Sequence, residues 1–69
     1  MTPKDLDTML IGEARDWKYG LITRDVYKIS ENLFELTDLS SGWVNAVVDK
    51  ATMILLLSGM KNIMDLDWK

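Results

Sequence analysis

The chain contains no cysteine and no histidine. Together these absences argue against disulfides, zinc sites, iron–sulfur clusters and haem attachment, all of which need thiolate or imidazole groups. They also narrow the available chemistry. Acid–base or nucleophilic catalysis would rest on Asp, Glu, Lys, Ser, Thr or Tyr with strongly shifted pKa values, and such shifts require a buried pocket. A chain of 69 residues barely completes one core. The sequence therefore reads as a non-enzyme with no cofactor, no metal and no small-molecule substrate.

Proline occurs once and glycine four times, so there is no linker, and residues 1–69 read as one domain. No glycine stands at the spacing of a phosphate-cradling loop. The most apolar stretch, residues 53–57, is far too short to cross a bilayer, and the first residues lack the basic-then-apolar layout of a secretory signal. A cytoplasmic protein without membrane contact is expected. Excess positive charge is missing too, since 8 basic residues stand against 11 acidic ones. The whole imbalance lies in residues 29–69, where Glu31, Glu35, Asp38, Asp49, Asp65 and Asp67 meet only Lys50, Lys61 and Lys69. Phosphate binding needs clustered Lys and Arg, so nucleic acid is not the expected partner. A helix-turn-helix reading fails on the same ground, because its third helix would offer phosphate only Lys50.

What is present suggests helices. Thr2-Pro3 can cap and start one, with Asp5 in its first turn. Leu6, Met9, Leu10, Ala14 and Trp17 then fall on one face, and Tyr19-Gly20 closes the segment. Thr23 is a second cap, followed by Val26, Ile29, Leu33 and Leu36 at spacings of three and four. After Leu39-Ser40-Ser41-Gly42, a third helix has Val44, Val47, Val48, Ala51, Ile54 and Leu55 inward, and Ser58-Gly59 ends it. The fold class expected is an all-α three-helix bundle with a short C-terminal tail, Met60 to Lys69. The alternative is α+β, with residues 32–37 and 43–48 paired as a central hairpin about residues 39–42.

On the helical reading, apolar side chains remain after each helix has filled its share of the core. Met53, Leu56 and Leu57 lie beside or away from the third stripe, Tyr27 and Phe34 flank the second, and Met60 and Met64 follow in the tail. Trp43 enters beside a turn, where a tryptophan serves either the core or an interface. Trp68, preceded by Ile63 and Leu66, is either a flap over this domain's core or an anchor for another chain. Surplus apolar surface needs cover. The expected function is thus a protein–protein interaction module that binds itself or a larger protein through Tyr27, Phe34, Trp43, Met53, Leu56, Leu57, Met60, Met64 and Trp68. The alternative is an acidic inhibitor or decoy, of the kind phage accessory proteins provide, that blocks a basic site. Glu31 and Glu35, four apart on a helix, would form part of such a surface, though two solvated charges is the plainer reading.

Overall fold

The computed structural model describes the backbone of residues 1–19, 22–38 and 44–69. Four strands dominate it: β1 (Ala14–Tyr19), β2 (Ile22–Ser30), β3 (Leu33–Asp38) and β4 (Val44–Asp49). They form one antiparallel sheet in chain order. Two short helices, α1 (Pro3–Thr8) and α2 (Lys50–Leu57), and a 3₁₀ turn, Ile63–Asp65, make up the rest. The expected three-helix bundle is therefore wrong, and helical bundle is not a description of this protein. The correction goes further than the central hairpin of the alternative, because β1 and β2 also pair along their length. The turn residues 20–21 and 39–42, and Trp43, lie outside the described residues.

The physical reason is an alternation disguised by charge. Val26, Lys28, Phe34, Leu36, Asp38, Ala46 and Val48 are buried, each two residues from the next within its strand. That is the period of a half-buried strand. Lys28 and Asp38 occupy inward positions where an apolar residue would have revealed it. The helical stripe of Val26, Ile29, Leu33 and Leu36 is divided instead, with Val26 and Leu36 wholly buried and Ile29 and Leu33 exposed. Between Lys28 and Ser30 the β2–β3 register slips by one residue, so Ile29 is an extra residue in β2, a bulge beside the hairpin.

The helices cover one face of this sheet. Leu6, Met9, Trp17, Val26, Phe34, Leu36, Val48, Met53, Leu56 and Ile63 pack into one core, with Met1, Leu57, Leu66 and Trp68 against it. A helix as short as α1 does not stand alone in water, and both of its ends are held. At the start the Thr2 N–H donates to the Asp5 carboxylate at 2.6 Å. At the end the buried Lys28 ammonium donates to the carbonyls of Leu6 and Met9 at 2.8 and 3.1 Å, groups that no later turn of helix can satisfy. The cation also favours the negative end of the helix dipole.

Asp49 decides where α2 begins. Its carboxylate accepts the Thr52 N–H at 2.8 Å, so the helix starts after β4 and does not include Val44, Val47 and Val48. Gly59, at φ 74°, ends it, with the Gly59 N–H on the Leu56 carbonyl and the Met60 N–H on the Leu55 carbonyl. This is the paired pattern of a left-handed helix stop. The inward face of α2 is Met53 and Leu56, whereas Ile54 and Leu55 are exposed, the reverse of the helical expectation.

Gly12 makes the other special turn. The Glu13 N–H returns to the Leu10 carbonyl, Gly12 sits at φ 90°, and Gly12 and Glu13 together bond the two backbone groups of Lys28. A tight turn thus runs into a glycine bulge at the head of β1.

Candidate protein-docking face

Opposite the helices the sheet has no cover among the described residues. Register places Ala14, Tyr27, Glu35 and Val47 in one row across all four strands, and Asp16, Asp25, Thr37 and Asn45 in the next. Among the described residues, three large apolar side chains stand out to solvent there: Tyr27 at 40%, Leu33 at 39% and Val47 at 56% exposure. Leu10 and Ile11, at 74% and 58%, extend the apolar surface from the turn before β1. Gly12 brings that turn close, since a Cβ there would lie 3.9 Å from the Tyr27 hydroxyl.

The charges sort by face. On the helical side acids are matched with bases: Arg15 bonds Glu13 at 2.7 Å and Asp5 at 3.4 Å, and Lys50 bonds Asp7. These contacts are felt in the carboxyl groups. Asp7 is held below its ordinary value first by the Lys50 hydrogen bond, and Glu13 first by that from Arg15. Asp5 is lowered chiefly by the Thr2 backbone N–H. On the open face, by contrast, Asp16 lies directly opposite Asp25 across β1 and β2. Like charges so placed repel. No ion pair or hydrogen bond reaches the Asp16, Asp25 or Glu35 carboxylates among the described residues.

No family model matches the chain, and no curated protein and no solved structure is detectably similar to it. What it can do must come from its own surfaces.

The residues singled out in the sequence are scattered by the fold. Tyr27 lies on the open face. Phe34, Met53 and Leu56 are wholly buried in the core, and Leu57 and Trp68 are partly buried against it. Trp68 is held by its indole N–H on the Ile63 carbonyl at 3.0 Å, so the tail covers its own domain. Met60 and Met64 are exposed, at 77% and 74%. Trp43 lies outside the described residues. Glu31 and Glu35 are separated: Glu31 turns toward Lys28 at 3.6 Å, while Glu35 stands in the middle of β3. Leu33 and Val47 were expected in a helical core; their outward places follow once residues 33–38 and 44–49 are read with period two. No helix is long and apolar enough to cross a membrane among the described residues.

Proposed function

We propose that this protein is an acidic binding module that docks its uncovered sheet face onto a partner protein, one whose surface presents apolar side chains ringed by Lys or Arg. The observation that carries this reading is the set of exposed Tyr27, Leu33 and Val47 standing among Asp16, Asp25 and Glu35, which have no ion pair among the described residues. Apolar contact supplies affinity, and the carboxylates select a basic partner and speed the encounter.

Charge favours a different protein over a second copy, and area sets the strength of the contact. Four strands about 4.8 Å apart and about six residues long span roughly 400 Å² of face, about half of what each partner gives to a standard stable interface, roughly 800 Å². Contact through this face alone, with a copy or with another protein, is therefore of the weak, transient size. A dimer would in addition bring Asp16, Asp25 and Glu35 against their own copies. The sheet edges offer no better route. Lys69 occupies part of the β4 edge through reciprocal backbone bonds with Asn45, and the β1 edge opens on a bulge and carries Arg15, Asp16 and Lys18, features that discourage edge pairing.

The test is nuclear magnetic resonance titration of the full chain with a short basic amphipathic peptide, with Val47→Asp and Met60→Asp as variants. Amide shifts centred on Tyr27, Glu35 and Val47, lost in Val47→Asp, kept in Met60→Asp and weakened by salt, are expected. Shifts centred on Met60 and Met64 would move the docking surface to the helical side. Binding indifferent to both Val47→Asp and salt would end the proposal.

A further inference from the structure

The two edges of the sheet are unlike. The β1 edge opens on a glycine bulge and carries Arg15, Asp16 and Lys18, devices that keep other strands away. The β4 edge has none of these: residues 44–48 read Val-Asn-Ala-Val-Val, without charge or proline, and pair with β3 in unbroken register. An edge of that kind is a template for another strand.

What covers it is the tail. Asn45 and Lys69 exchange two backbone hydrogen bonds, of 2.9 and 2.8 Å, so the N–H and C=O of Asn45 point away from β3. Bonding direction alternates from residue to residue in an antiparallel strand, which turns the same groups of Val47 outward as well. Continued antiparallel, the tail would bring Asp67 to them, yet no tail bond reaches Val47 among the described residues. The chain swings inward there instead, with Leu66 and Trp68 packed on the core and the Trp68 indole N–H on the Ile63 carbonyl at 3.0 Å. The tail is thus a strap, fastened to the core by Trp68 and to the edge by Lys69.

We infer that this strap guards a self-pairing edge: when it lifts, β4 pairs antiparallel with β4 of a second copy about Val47. In that register the strand is complementary to itself. Val47 meets Val47, Ala46 meets Val48, Asn45 meets Asp49 and Val44 meets Lys50, so no like charges face each other. The Asn45 amide stands opposite a carboxylate to which it can donate. Opposed residues of an antiparallel pair share a face, so the two open faces merge on one sheet of eight strands. The consequence rests on the docking face proposed above, which pairing doubles to roughly 800 Å², the share of each partner in a standard stable interface. A contact that is weak through one copy becomes firm through two.

Light scattering across a concentration series, with hydrogen exchange on the same samples, tests this on the full chain. Lys69→Pro removes the donor that fastens the strap to Asn45, and the variant should dimerise at about tenfold lower concentration than the unchanged chain, as loss of a competing backbone bond allows. The Val47 amide should exchange slowly in that dimer and fast in the unchanged monomer. Val47→Asp or Val47→Lys, each added to Lys69→Pro, should give a monomer because like charges then meet at the symmetry axis, and mixing the two variants should restore the dimer. Tyr27→Asp, away from the edge, should leave the dimer intact. A Lys69→Pro chain that associates no more readily than the unchanged one overturns the inference. So does a fast-exchanging Val47 amide in the dimer, a dimer abolished by Tyr27→Asp, or a mixture that stays monomeric. If the dimer forms as expected while the basic amphipathic peptide ignores both Tyr27→Asp and salt, the edge stands and the docking face falls.

Discussion

The two faces of this sheet are made from the same four strands and differ in almost everything else. On the helical side, side chains from every element fill one core and the ionised groups are matched: Lys28 with the end of α1, Arg15 with Asp5 and Glu13, Lys50 with Asp7. On the open side, apolar groups stand in solvent, and Asp16, Asp25 and Glu35 have no ion pair among the described residues. Charge of this kind contributes nothing to folding, and Asp16 opposite Asp25 opposes it. A face that stays unstable in this way within a domain of so little spare stability is suited to a contact made elsewhere.

Substitutions should separate the faces sharply, and the largest effect belongs to the covered one. Phe34 is wholly buried, and Phe34→Ala should cost about 3–5 kcal/mol. A core of this size rarely supplies more than that in total, so urea titration should find no cooperative transition in the variant. Next comes Lys28→Met, which keeps the packing but leaves the carbonyls of Leu6 and Met9 without donors. About 1–3 kcal/mol should be lost, and hydrogen exchange should show α1 opening before the sheet. A variant with α1 as protected as before would mean that Leu6 and Met9 hold it by packing alone.

Acid should act on the helical side first. Asp5, Asp7, Glu13 and Asp49 all titrate below their ordinary values of 3.8 for aspartate and 4.5 for glutamate. The folded chain therefore binds these protons less readily than the unfolded chain. The stability so gained is complete above those ordinary values and is lost as pH falls through the lower folded ones. Amides of α1 should lose protection below about pH 4 while those of β2 and β3 persist. The smallest effects on stability belong to the open face. Val47→Asp should change it within about 0.5 kcal/mol, and Asp16→Asn should raise it by a few tenths of a kcal/mol while weakening capture of a basic peptide. Loss of folding in Val47→Asp would erase the distinction between the faces.

How much of this was legible beforehand depended on which residues sit at the inward positions. Leu6, Met9, Trp17, Val26, Leu36 and Val48 read as core from the sequence and are core. The stop at Ser58-Gly59 and the start at Thr2-Pro3 followed from local chemistry that needs no tertiary context. The strands did not, because Lys28 and Asp38 stand where alternation required apolar groups, and because Val26, Ile29, Leu33 and Leu36 imitate a helical stripe through a bulge at Ile29. The candidate site suffered for the same reason. Leu33 and Val47 were assigned inward on helices, whereas Phe34, Met53 and Leu56, read as surplus surface, are spent inside the domain. Among the described residues of that set, Tyr27 alone stands on the open face.

Because each strand bonds only its neighbours in the chain, the sheet has an order of assembly. Each hairpin closes a short loop onto a segment already made, the kind of contact that forms quickly. The lid closes late. Ile63, Leu66 and Trp68 leave the ribosome after all four strands and both helices, so until they emerge only α1 and α2 cover the core. A nascent chain then offers the cell an incompletely covered core beside the open face, and the tail closes only the first of these.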